Sequence, residues 1–196
     1  MKKVLRRYFV VLLSFIMLIL SLIAAPKEAL AYASSVYLTN PSIQQPKSNW
    51  CWAASGASCV GYVGQLIITP SDFSIAVKGN SVNNATASLS EVRSGLNSYS
   101  ISSSIGAILT FQTVMYENDT KDRPIIAGLG QMNANGNYTL CHMVVISGYK
   151  NLSSGGKVWI MDPATGTKTL NTYSSLCNTG SLYWFSSIGN MNYTGI

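Results

Sequence analysis

Apolar residues recur along this 196-residue chain with two periods, helical in the first half and alternating in the second, changing near residue 124. Residues 51–63 (CWAASGASCVGYV) are almost all apolar or small, which predicts a buried central helix. Gly56 and Gly61 each cost that helix about 1 kcal/mol relative to Ala, so another element is expected to press close against it. Thr69-Pro70-Ser71-Asp72 reads as a helix start, with a cap residue ahead of proline. Phe73, Ala76 and Val77 give this helix its apolar face, and Gly79-Asn80 stops it. After a polar loop, Ser88 and Glu91 stand at capping-box spacing and open a helix that turns Leu89, Val92 and Leu96 inward. Residues 100–110 read as extended or irregular, and Val114 and Met115 mark a helix from 111 to about 118.

Beyond that point the period is that of strands. Residues 124–129 form a buried strand, and Asn135-Gly136 is a strong hairpin turn signal. Strands follow at 140–149, at 158–161 after the Gly155-Gly156 turn, and at 168–170 after Thr165-Gly166. The apolar run at 182–185 closes the series, and an edge strand at 35–38 precedes everything, ended by Asn40-Pro41. Helices first and antiparallel strands second make an α+β arrangement, read here as one domain over residues 32–196.

The N-terminal 31 residues follow different rules. Lys2, Lys3, Arg6 and Arg7 precede an apolar run over 8–25, and Ala29-Leu30-Ala31 has the small-residue pattern of a cleavage site. This reads as a secretory signal peptide cut after Ala31, with an uncleaved signal anchor as the competing reading. Either way the domain is expected outside the cytoplasm, secreted if the signal is cut and at the cell surface if it is not. The segment also carries four of the six formal positive charges, leaving +2 for residues 32–196. That balance gives no argument for nucleic acid or an anionic surface, and neither is expected as a partner. Of the four cysteines, Cys51, Cys59, Cys141 and Cys177, no pairing follows from the sequence. None has the cysteine–histidine spacing of a zinc site, so no metal or other cofactor is expected.

The candidate chemistry lies in Gln45-Pro46-Lys47-Ser48-Asn49-Trp50-Cys51-Trp52-Ala53-Ala54. A thiol that opens a helix sits among unpaired backbone N–H groups, at the positive end of the dipole, where its reactive thiolate is favoured. Gln45, six residues upstream, can bring a side-chain amide back alongside the sulfur, where an oxyanion forms during acyl transfer. His142 is the only histidine, set on a strand with apolar neighbours on both faces. A lone strand histidine is most often structural, but an imidazole there needs a hydrogen-bond partner. Asp162 begins the turn after the next strand, and a hairpin brings it beside His142. Asp-Pro is also an ordinary turn dipeptide, and Asn151 or Asn171 could serve as the partner instead.

QPKSNWCWAA, then CHMVVISGY and VWIMDP, resembles the papain-like cysteine proteases, closest to the small bacterial branch with secreted effector proteases and bacteriocin-leader peptidases. Leu140-Cys141 stands where that branch usually has glycines, so the site rim differs there. The resemblance implies a helical layer and a sheet layer with the active site between them. It also implies Cys51 as nucleophile, His142 as general base, Asp162 as its orienter, and Gln45 as an oxyanion-hole donor. By position in the order, Trp184 would shield the His142–Asp162 pair. The expected function is hydrolysis of peptide bonds in a protein or peptide substrate, through a thioester acyl-enzyme, by a monomer free of the membrane after signal cleavage. A cell-wall peptide amidase or endopeptidase is the alternative, although such enzymes usually carry an acidic residue where this chain has Trp50. A thioester-based acyltransferase shares the intermediate.

Overall fold

The computed structural model describes residues 32–79 and 83–195, so the signal-peptide reading of residues 1–31 lies outside the described residues. Residues 32–196 make a compact unit by themselves. After a short strand, the described residues form three helices, α1 (Cys51–Val63), α2 (Pro70–Lys78) and α3 (Leu89–Ser98). Ser88 closes the expected capping box and Thr69, expected as a cap, closes a second, with Asp72 and Glu91 reaching back to the cap N–H groups at 2.8 Å each. Such caps contribute about 1 kcal/mol each.

The sheet has seven strands, β1 (Ser35–Tyr37), β2 (Ile101–Ala107), β3 (Ile125–Met132), β4 (Tyr138–Leu152), β5 (Gly155–Asp162), β6 (Thr167–Thr172) and β7 (Tyr183–Tyr193). Their order is β2-β7-β3-β4-β5-β6, all antiparallel, with β1 paired to the far end of β4. Strand alternation divides the core. Ile126, Met143, Val145 and Met161 face α1, α2 and α3, where Trp52, Phe73, Val92 and Leu96 meet them. Ile125, Ala127, Val144, Ile146 and Ile160 face the other way, onto Val114, Leu176 and Trp184. The second face is covered by α4 (Phe111–Met115), which runs into a π-helical turn at Tyr116–Thr120, and by α5 (Tyr173–Cys177).

Close approach explains the glycines of α1. A Cβ on Gly56 would stand 2.2 Å from the Phe73 ring, and one on Gly61 would stand 2.7 Å from Pro41. Residues 101–107, read as extended or irregular, are a regular edge strand with a bulge against β7. The closing strand runs on to Tyr193 rather than stopping at 185, and α5 has no counterpart in the hydrophobic pattern. The expected helix at 111–118 keeps an α-helical part only to Met115.

Candidate active site

Cys51 is the first residue of α1, and Trp50 at the N-cap offers no side-chain acceptor. The leading N–H groups of the helix are therefore left for an anion. Both flanking tryptophans are buried and fix this helix end through their ring N–H groups. Trp50 donates to the Asn83 carbonyl at 2.9 Å and Trp52 to the Ala85 carbonyl at 3.0 Å. Asn84 completes the clamp: its side-chain oxygen accepts the Asn49 N–H at 3.0 Å and its amide donates to Ser48 Oγ at 2.9 Å. This wall was not legible in the sequence, where residues 80–87 read only as a polar loop.

His142 comes from β4. There the pairing with β3 slips: Leu129 faces His142 while Gly130 faces Leu140, so Cys141 is the bulged residue. Bulges re-aim side chains next to sites. His142 and Cys141, although adjacent on the strand, both line a shallow recess of about 50 Å3 with Cys51, Trp52, Thr86, Ala87 and Leu140. Cys141 is exposed and donates to the Thr139 carbonyl at 3.2 Å. All four cysteines are free thiols, and Cys59 is fully buried in the core, its thiol pushed up by burial.

Asp162 ends β5, and its Oδ1 stands 2.7 Å from His142 Nε2 and accepts the Ala164 N–H at 2.9 Å. The bond uses Nε2, which leaves Nδ1 as the nitrogen free to serve the sulfur, and Cys51 lies near enough to the imidazole to help raise its pKa. Burial pulls the His142 pKa down, but the Asp162 and Cys51 partners outweigh it and raise it from 6.5 to about 9. The same bond lowers the Asp162 carboxyl against the opposing effect of its partial burial. The two asparagines stand elsewhere: Asn151 lies in the part of β4 that pairs with Gly156, and the Asn171 amide is spent on Thr169. Asn171 does line a cavity of about 280 Å3 behind the imidazole, with Leu129, Val144, Ile160 and Leu182 among its walls. Trp184 does not cover the pair. Leu129 lies between the two, facing His142 on one side and Trp184 on the other, and the indole N–H is turned to Ser186 and Ser187.

Gln45 lies on the strap that joins the two halves of the site. Its backbone N–H donates to the Pro163 carbonyl at 2.8 Å, tying the cysteine loop to the turn that follows Asp162. Its side-chain amide N–H groups donate to the carbonyls of Lys47 at 2.9 Å and Ser48 at 2.7 Å. An oxyanion would have to take over one of those two protons.

Comparison with known proteins accounts for this arrangement. The Peptidase_C39 like family profile matches residues 37–189. Among solved structures, the chain is similar to a double glycine motif protease from an AMS/PCAT transporter, solved in complex with the leader peptide. The TM-score is 0.54 at 15% identity, covering 82% of this chain and 99% of that one. It is also similar to the peptidase domain of Streptococcus ComA, a bi-functional ABC transporter, with a TM-score of 0.51 at 15% identity over 75% and 96% of the two chains. Digestive procathepsin L 3 of Tenebrio molitor larval midgut gives a TM-score of 0.51 at 8% identity over 83% and 71%. No curated protein matches the sequence. Identities this low show the fold alone, which is papain-like, with a helical layer against an antiparallel sheet. The family match spans both the cysteine strap and the histidine–aspartate strands, so the chain belongs to the Peptidase_C39 like family and is a cysteine-type peptidase.

Proposed function

We propose that the protein is a secreted endopeptidase that cleaves a peptide substrate through a thioester acyl-enzyme, with Cys51 as nucleophile. The observation that carries the reading is the imidazole of His142, bonded to Asp162 at 2.7 Å and lining one recess with Cys51 at the head of α1. The Cys51 sulfur attacks the scissile carbonyl, and the C–N bond breaks as His142 gives its proton to the leaving amine. His142 then takes a proton from water, which attacks the thioester carbonyl and returns the sulfur. Asp162 holds the ring by its other nitrogen and acts as a positioning residue. The Cys51 backbone N–H and the Gln45 amide, released from one of its carbonyls, stabilise the oxyanion.

The recess beside the sulfur is narrow, about 50 Å3, and favours a small side chain there. That supports a cleavage point between small residues, as in the double glycine motif of the similar protease, and a peptide substrate like the leader bound there. The test is to incubate residues 32–196 with peptides that differ in the size of the residue before the scissile bond. A covalent adduct of the expected acyl mass on Cys51, absent from Cys51→Ala, is the expected result. Cleavage that persists in Cys51→Ala would overturn the reading.

A further inference from the structure

Far along β4 from the site, the π-helical turn Tyr116–Thr120 collects polar groups from distant parts of the chain. Asp119 Oδ2 accepts the backbone N–H of Ala33 at 2.7 Å and the Tyr149 hydroxyl at 2.9 Å. The same hydroxyl stands 2.9 Å from the Ala33 carbonyl oxygen. From there the segment is fastened strand to strand: the Asn151 N–H donates to Ser34 O, β1 pairs with residues 148–150, and the Leu38 N–H donates to Ser147 O. Asp119 is only half exposed, and among the described residues no lysine, arginine or histidine forms an ion pair with it. A carboxylate so placed has hydrogen-bond donors but no cationic partner among the described residues.

Standard bond lengths bring one within reach. Successive backbone nitrogens lie at most about 3.6 Å apart, so the nitrogen of Tyr32 is within roughly 6 Å of Asp119 Oδ2. We propose that Asp119 is the receptor for the chain's own new N-terminus: removal of the segment ahead of Tyr32 leaves an α-ammonium that pairs with this carboxylate and fastens residues 32–38 to the sheet. This rests on the reading of residues 1–31 as a signal cut after Ala31. Peptide-bond hydrolysis converts the neutral amide nitrogen of Tyr32 into a cation, so processing itself creates the partner. The fastened segment leads directly into the strap that carries Gln45 and Cys51.

The test compares three N-termini on residues 32–196: a free α-amine on Tyr32, the same chain with that amine acetylated, and a chain with Gly-Ser placed before Tyr32. Each is made with and without Asp119→Asn, and the folding equilibrium constant is read from urea unfolding. The free Tyr32 amine should fold with a constant about two- to fivefold larger than either alternative, the range of a partly exposed ion pair. The advantage should disappear in Asp119→Asn. Equal stability for all three chains, or an advantage undiminished by Asp119→Asn, would overturn the proposal. The mass of the protein exported from cells carrying the full chain reports separately where the signal is cut. An error in the cleavage reading is thus distinguishable from an error about the receptor.

Discussion

Replacing one side chain at a time separates the reacting groups from those that position them. Cys51→Ala and His142→Ala should abolish turnover, whereas Gln45→Ala should lower kcat by about 10²–10³, the usual cost of one oxyanion donor. Asp162→Asn should leave residual activity and also move the pH profile. Asp162 helps raise the His142 pKa to about 9, so the alkaline limb of kcat/KM should lie near pH 9 in the native protein and at lower pH in Asp162→Asn. Stability carries the same signature. A raised imidazole pKa stabilises the fold fully below about pH 6.5 and loses that contribution as pH rises through about 9. The lowered Asp162 carboxyl acts in the opposite direction, stabilising above the usual carboxylate range and losing its effect as pH falls through its lowered value. Urea midpoints from pH 5 to 10 check this: the alkaline loss should be present in the native chain and flattened in His142→Ala.

At the level of elements, the helical layer closes around Phe73. The ring is fully buried, lies 6.3 Å from Trp52 and stacks on Tyr99 at 6.1 Å, so it has little room to retreat. Gly56→Ala should therefore destabilise by up to about 2 kcal/mol, because overpacking costs about 1–3 kcal/mol and the helix-propensity gain offsets only about 1 kcal/mol. An unchanged urea midpoint would show that the ring yields. The sequence already carried this close approach, since two glycines in an otherwise good helix have little other use. Capping boxes, hairpin turns and the order cysteine, histidine, aspartate were legible for the same reason: each is a local signal. What was not legible depends on partners far along the chain. The strand at 101–107 is Ser-rich and mostly exposed, and only its pairing with β7 makes it a strand. β7 runs on past Phe185 through Gly189 and Asn190, beyond the apolar run that marked it in the sequence. The bulge that puts Cys141 on the same recess as His142 arises from a register slip against β3, which alternation along one strand cannot reveal. The Gln45 amide was placed near the sulfur by spacing alone, and spacing does not say which carbonyls hold it.

At the scale of the molecule, the most buried ion pair among the described residues lies away from the chemistry. Glu117 and Arg123 form an ion pair with both side chains 9% exposed, at 3.3 Å between Arg123 Nε and Glu117 Oε2. Arg123 Nη1 also donates to the side-chain oxygens of Asn190 at 2.9 Å and Asn192 at 2.8 Å, while Glu117 accepts the Asn190 N–H at 3.1 Å. The π-helical turn is thereby joined to the end of β7. Removing one partner leaves a buried charge without compensation, which typically costs about 3–5 kcal/mol. Arg123→Met should accordingly lower the melting temperature by roughly 10 °C in a domain of this size. Adding Glu117→Gln should recover much of that loss, since it removes the stranded carboxylate. Arg123 precedes β3 at the end opposite Leu129, the residue that faces His142. Turnover measured well below the lowered melting temperature should therefore match that of the native chain. Circular dichroism melts of the single and double variants, with peptide cleavage at 20 °C, check both halves. A single variant as stable as the native protein would mean that the pair gives the fold no net support. Cleavage lost while the variant remains folded would instead mean that this junction reaches the site through the sheet.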